Sequence, residues 1–340
     1  MPIVVRRADI DGDREIVIGT LRRYLNSFVD ERRYEWLYRT NPFGPARTWL
    51  ALDSSGEAIG SAAAFPHPML ICGQQLLGCV LGDFCVSERH RTLGPAIRLQ
   101  RECLAGTRSG EYSFCYDFPS ASMTAVYQRL GMTPRSRIYR LAKPLRVEEN
   151  LLGHVGFSWV RKPLAYAGDL ILRFLETTPA SALTFIEHYE RFGEEFTVLM
   201  GELGKRYTAT TYRSATYLNW RYKDHPLRQH RVITARTNKG ELVGYLVLYR
   251  DGDIATIADL VIAGEDDILQ GLIVSAASQL RLEGARRLDF PLVRNSPWIF
   301  TLRRLGFFTR ESSPVMAWEG RPGTPSVTGK LLLLAGDSES

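Results

Sequence analysis

The chain states one pattern twice. Trp36, Tyr38, Pro42, Gly56, Glu57 and Gly60 return as Trp220, Tyr222, Pro226, Gly240, Glu241 and Gly244, each 184 positions on. Farther along, Asp117-Phe118-Pro119 returns as Asp289-Phe290-Pro291, and Leu130-Gly131 as Leu305-Gly306. The offset shrinks there, as unequal loops would make it. Solenoid units run to only ~20–50 residues, so a repeat this long means two copies of one domain. At 340 residues the chain has room for both. The first is expected at 1–145 and the second at 181–340, joined by a connection at 146–180. The copies differ where chemistry would sit. Only the first carries Arg91-Thr92-Leu93-Gly94-Pro95-Ala96 after an apolar run; the second has Gly264-Glu265-Asp266-Asp267 there. One working site beside a sister domain is the expectation.

Periodicity gives the order within a copy as strand, helix, helix, three to four strands, helix, strand, helix, strand. In the first copy the helices fall at about 13–26, 31–39, 95–107 and 122–130. Strands are expected at 48–52, 58–65, 69–72, 76–86, 112–118 and 137–142, with a break at Pro66-His67-Pro68. The second copy repeats the order from a helix at 194–203 to strands at 309–318 and 330–335. The pattern is an α/β (α+β) fold in two tandem domains.

Composition narrows the class. A net charge of +6 and a pI near 9.1 suit an anionic partner such as a nucleotide cofactor. The arginines are scattered among acids, with no basic run interleaved with aromatics, so no nucleic-acid partner is expected. Five cysteines, all in the first copy, form no Cys-x-x-Cys pair, so no metal is expected. They read as small core residues of a cytoplasmic protein. No apolar run reaches the ~18 residues a membrane span needs. Trp159–Leu175 comes nearest but is interrupted by Arg161, Lys162, Pro163, Asp169 and Arg173. It reads as a core-packed linker helix or as a helix in peripheral contact with a membrane.

The segment after the strand at 76–86 holds the chemistry. Amides of a strand-to-helix turn converge on one point at the helix's positive end, where a pyrophosphate can bind. Gly94 admits close approach, Ala96 keeps the first turn slim, Pro95 suits the first helical position, and Arg91 adds a fixed charge. Arg91-x-x-Gly94-x-Ala96 resembles the acetyl-coenzyme A signature of GNAT-type N-acyltransferases. Tyr127-Gln-Arg-Leu-Gly131-Met132 is similar to that family's Tyr-x-x-x-Gly-Phe segment. Pro95 within the loop and Met132 in place of Phe are departures.

The resemblance implies tandem GNAT-like domains, each a mixed, splayed sheet flanked by helices. It implies acyl transfer from acetyl-coenzyme A, or another acyl-coenzyme A, to an amine on a small molecule or a carrier. More narrowly, the chain is similar to tandem-GNAT acyltransferases of bacterial surface polysaccharides, which implies an amino sugar as acceptor. The amides of Thr92, Leu93, Gly94 and Ala96, with Pro95 between them and Arg91 beside them, would hold the pyrophosphate. Backbone at Cys85 and Val86 would pair with the pantetheine arm. Tyr127 falls at the family's general acid.

A base is also needed, because an amine arrives mostly as ammonium; Asp83 and Asp117 are the candidates. Asp259 and Asp289 match them in the second copy, which also fits a structural role. Trp36, Tyr38 and Arg39 could line a sugar site, or pack a helix end under the sheet. The charged run Trp220-Arg221-Tyr222-Lys223-Asp224-His225-Pro226 is placed to close the cleft from the second domain. Two other readings stay open: a non-catalytic scaffold that has kept the fold, and a tRNA-dependent peptidyltransferase. The latter would need a long basic helical hairpin, which the sequence does not show.

Overall fold

The structure, a computed structural model, describes residues 3–26, 29–91, 93–132, 134–146, 183–264, 266–319 and 329–338. The expected linker helix at Trp159–Leu175 and the loop residue Thr92 lie outside these. The first half runs β1 (Val4–Arg7), α1 (Arg14–Tyr24), α2 (Glu31–Tyr34) with a π-helical turn after it (Glu35–Arg39), β2 (Arg47–Leu52), β3 (Ala58–Ile71), β4 (Gln74–Val86), α3 (Leu93–Arg108), β5 (Phe114–Asp117), α4 (Ala121–Arg129) and β6 (Ser136–Pro144). The second half runs β7 (Leu183–Glu187), α5 (Glu194–Gly204), β8 (Ala209–Thr211), α6 (Ala215–Leu218) with its own π-helical turn (Asn219–Lys223), β9 (Arg231–Thr237), β10 (Leu242–Asp251), β11 (Ile254–Ile262), α7 (Asp266–Leu282), β12 (Arg287–Val293), α8 (Trp298–Arg304), β13 (Phe308–Glu319) and β14 (Leu331–Leu332). The expected mixed sheet flanked by helices is present. Strands β7 and β8 are additions to the sequence reading.

One sheet runs through both halves in the order β1-β2-β3-β4-β5-β13-β6-β12-β11-β10-β9-β7. Strands β6 and β13 have crossed over. β13 pairs antiparallel with β5, Met316 opposite Asp117, and β6 pairs antiparallel with β12, Asp289 opposite Ala142. β6 and β13 also pair with each other at the centre. A large buried cluster spans the halves, from Leu37 and Phe65 to Leu246 and Leu272.

The repeated Trp-x-Tyr segment explains itself at the seam. Trp36 and Trp220 stack with ring centres 5.0 Å apart. Each indole N–H donates to the other's carbonyl oxygen, at 3.0 and 3.3 Å. The exchange satisfies two buried donors, and the stacked pair adds about 1 kcal/mol beyond its area. Tyr38 and Tyr222 point the other way, each under the strand of its own half.

β3 corrects the expected break at Pro66-His67-Pro68: it is one strand of 14 residues. It pairs with β4 throughout, while its other edge meets β2 only up to Ala64 and β8 only from Met69. Both prolines fall in that gap, where a missing N–H costs no ladder bond. Their carbonyls face the same way: Pro66 accepts from Asn41 Nδ2 at 2.9 Å and Pro68 from the Tyr212 amide at 2.8 Å.

Candidate active site

The site begins where two parallel strands part. β4 and β5 pair only at Gly78–Val80 with Phe114–Tyr116. Gly78 makes that approach feasible, since a Cβ there would lie 2.8 Å from the Phe114 carbonyl oxygen. β5 then stops at Asp117, two residues before Pro119, while β4 runs on to Val86 against β3 alone. Among the described residues, the edge of β4 that faces the gap therefore has no strand partner beyond Val80, and a pantetheine arm can pair there.

β4 also bulges. Gly82 pairs with Ala63 and Cys85 with Ser61, so two residues of β4 oppose one of β3. Asp83 sits in the bulge with φ +47°, a backbone state that costs an aspartate about 1 kcal/mol or more. Its carboxylate holds the bulge in place. It accepts from Arg33 Nη1 and Nη2 at 2.7 and 3.0 Å and from the Tyr38 hydroxyl at 2.7 Å. Asp83 is thus committed to an ion pair, with only 7% of its side chain exposed.

Beside the gap lies a cleft of about 440 Å³, walled by Cys85 and Val86, by Arg91 and Ala96, and by Met123 and Val126 of α4. α3 begins at Leu93, so Gly94, buried Pro95 and Ala96 belong to its first turn. Amides of such a turn have no partner inside the helix. The exposed Arg91 side chain reaches back toward the Val86 carbonyl, Nε at 3.4 Å. Burial pushes the Cys85 thiol up to about 12, which makes it a wall and not a nucleophile. An open strand edge, a slim helix start and an apolar wall fit a phosphopantetheine thioester.

A second cavity of about 720 Å³ shares Leu25 with this cleft. Asp83 and Asp117 face it from the strands, and Arg33 and Trp36 from α2 and its π-helical turn. The second half supplies Arg221, His225 and Arg228. The charged run flagged in the sequence therefore does reach the wall, through Arg221 and His225.

Two of the three expected catalytic residues meet. Tyr127, on α4, donates its hydroxyl to the Asp117 carboxylate and lies 3.4 Å from Gln100 Oε1. Its ring packs against Trp318 of β13 at 5.0 Å. Burial pushes Asp117 up to about 7, against the pull of the Tyr127 hydrogen bond. Burial and the adjacent Asp117 charge raise Tyr127 well above its ordinary value, so the phenol stays protonated. Tyr127 is fully buried, and its hydroxyl is turned to Asp117. Tyr38 is fully buried under Asp83, and Trp36 is buried in its stack with Trp220 and against His225. Arg39 lies outside, paired with Glu35 and Asp11 at 2.9 Å each. Gln100, Trp318 and Arg228 went unremarked in the sequence. Gln100 alone carried a signal, as a polar residue on the buried face of α3.

The second half repeats the fork and fills it. β11 and β12 pair at Ile254–Thr256 with Arg287–Asp289 and then part. Leu334, fully buried, bridges to Leu292 of β12, and the turn Ala335–Asp337 packs on both strands. Asp259, paired with Val247 beside the β11 bulge, accepts from Arg213 Nε at 2.6 Å and from the Tyr222 hydroxyl at 3.1 Å. Arg213 also donates to Asp337 at 2.9 Å, and all three side chains of this ion triad are fully buried. α7 opens with Asp266 and Asp267, whose charges oppose a pyrophosphate. Leu302 stands where Tyr127 stands in the first half.

No family profile matches the sequence, and no curated protein sequence matches it. Solved structures do. A conserved protein of Enterococcus faecalis V583, described as a probable N-acyltransferase, superposes with a TM-score of 0.69 at 11% identity, over 94% of this chain and 73% of that one. A GCN5-related N-acetyltransferase of Anabaena variabilis ATCC 29413 gives 0.66 at 12%, over 93% and 72%. Saccharomyces cerevisiae N-myristoyltransferase with bound myristoyl-CoA gives 0.60 at 12%, over 95% and 81%. The chain shares its fold with these proteins. Among the described residues no helix is long and apolar enough to cross a membrane, and no group of side chains could hold a metal ion.

Proposed function

We propose that the protein is an acyl-coenzyme A-dependent N-acyltransferase with one working site, in its first half. The observation that carries this reading is the junction of the two cavities at the β4/β5 fork, with Asp117 beside it. The cleft at Cys85, Val86 and Gly94 takes the thioester, and the larger cavity takes the amine. The transfer forms a C–N bond and breaks a C–S bond, and the ammonium proton must leave before the amine can attack. Asp117 receives it: a carboxylate near 7 is half ionised at neutral pH, where proton transfer is most effective. Tyr127 holds that carboxylate in place. Tyr127 acts through Asp117 as a positioning residue, in place of the direct acid that its sequence position implied. Asp83 and Arg33 shape the wall.

The second half serves as structure and as part of the acceptor wall. An amino sugar suits the larger cavity, where Phe118 offers apolar surface and Asp83, Asp117 and Arg33 offer polar contacts. Acetyl is the acyl group proposed, and the GNAT fold of the superposed transferases supports the reaction class. Calorimetric titration with acetyl-coenzyme A tests the reading. One site per chain is expected in the wild type, and none in Gly94→Glu; absence of binding by the folded wild type would end it.

A further inference from the structure

The second half reaches the working fork through one strand. β13 lies antiparallel beside β5, with Met316 opposite Asp117 and Trp318 opposite Cys115. Side chains alternate along a strand, so these four residues share one face of the sheet. It is the face that α3 and α4 cover. Met316, Cys115 and Tyr127 belong to one buried cluster with Leu99 and Cys103, and Trp318 is partly buried against it. The rings of Trp318 and Tyr127 lie with centres 5.0 Å apart and planes tilted by 55°. The hydroxyl of the same Tyr127 donates to Asp117.

The second fork has the same slot and fills it differently. There β6 lies beside β12, with Ala142 opposite Asp289 and Pro144 opposite Arg287. Ala142 and Pro144 thus stand where Met316 and Trp318 stand in the first half. Asp289 is held instead by Arg287 of its own strand, at 2.7 Å. The fork with a buried carboxyl and phenol has a thioether and an indole over them, and the fork without that pair has a methyl group and a small ring.

We propose that Met316 and Trp318 are positioning residues of the first-half site: β13 shields the Asp117–Tyr127 pair from water, and Trp318 acts through Tyr127 to fix the carboxylate. The proposal rests on reading Asp117 as the base. Apolar bulk over a carboxyl removes the solvent that would favour its charged form. A ring packed against a phenol also restricts where its hydroxyl can point. Around Asp117 the titratable groups are Tyr127 of α4, Cys103 of α3 and Cys115 of its own strand. Asp83 and Arg33 face it across the cavity, and the second half adds Arg221, His225, Arg228 and Asp251 to that wall. Truncating Met316 or Trp318 alters none of these charges, so a moved titration reports the cover.

The test reads the carboxyl itself and needs no acceptor. In the full chain carrying carboxyl-labelled aspartate, the Asp117 resonance is followed against pH by nuclear magnetic resonance, assigned by its loss in Asp117→Asn. The wild-type midpoint is expected at about 7. In Trp318→Ala it should fall by at least about half a pH unit, and Trp318→Phe should restore it. Met316→Ala, which uncovers Asp117 directly, should lower it as well and carries the test if the larger truncation does not fold. Val315→Ala, fully buried on the opposite face of β13, should leave it in place. A midpoint unmoved in a folded Trp318→Ala or Met316→Ala overturns the proposal. So does an equal fall in Val315→Ala, or a wild-type midpoint in the ordinary carboxylate range. A wild type that binds no coenzyme A would strike the acyltransferase reading alone, because these midpoints are measured without turnover.

Discussion

The two forks start from the same parts. Each has a parallel pair that opens after three residues, a bulge at or beside an aspartate, and a tyrosine hydroxyl donating to that aspartate. In the first half the bulge aspartate meets Arg33, on the wall of an open cavity. In the second half it meets Arg213, which is sealed from solvent and shared with Asp337. One fork stays open toward a slim helix start, and the other is stopped by the chain's own residues 329–338. The lesson is that Asp83 and Asp259 are frame, because both copies pair them with an arginine and a tyrosine. Asp117 and Tyr127 are what the first copy adds, since Leu302 cannot hold the carboxylate of Asp289.

Four measurements can break or sharpen this contrast. The largest effect is expected from Gly94→Glu, which sets a bulky anion at the start of α3. Acetyl-coenzyme A affinity should fall by at least about 100-fold, with the circular dichroism spectrum unchanged. Asp266→Asn at the matching helix of the second half should create no second site by the same titration. Next, Asp117→Asn should lower kcat by about 100-fold or more, the usual worth of a general base. The wild-type rate should climb as pH rises through about 7, and the variant should lose that limb. If Asp117→Asn turns over normally, the base lies elsewhere.

The third measurement compares the two bulge aspartates. Asp259→Ala strips one acid from a sealed triad and should cost about 3–5 kcal/mol in chemical denaturation. Asp83→Ala, whose Arg33 can relax toward solvent, should cost about 1–3 kcal/mol. Equal losses would mean that the second bulge is no more committed than the first. The smallest effect concerns pH and stability. The folded carboxyl of Asp117 titrates near 7 and the unfolded one near 3.8, so the folded state holds an extra proton between them. This contribution is fully present below the unfolded value and is lost as pH rises through the folded one. The melting temperature of Asp117→Asn should therefore vary less with pH across that window than that of the wild type.

Local chemistry made much of this legible. The start of α3 followed from Gly94-Pro95-Ala96, and the helix positions of Tyr127 and Trp298 followed from apolar spacing. The junction of Tyr127 with Asp117 was within reach, since one closes a strand and the other rides the next helix. What stayed hidden depends on partners distant in the chain. A repeat reveals likeness and not pairing, so the exchange of β6 and β13 left no mark. Pro66 and Pro68 read as a break because nothing in the sequence says which edge of β3 is bare. Asp83 reads as a base until Arg33 is seen against it. The plug at Leu334–Asp337 looks like any short apolar ending.

The crossing of β6 and β13 has a consequence for how the chain is made. A ribosome that has released residues up to Pro144 has produced a sheet whose β5 edge is bare. The strand that will cover it lies at Phe308–Glu319 and has yet to be translated. An uncovered strand edge is a template for pairing with other chains. The first half is therefore synthesised before the strand that closes it, and throughout elongation its floor stays open to chaperones and to stray β-strands.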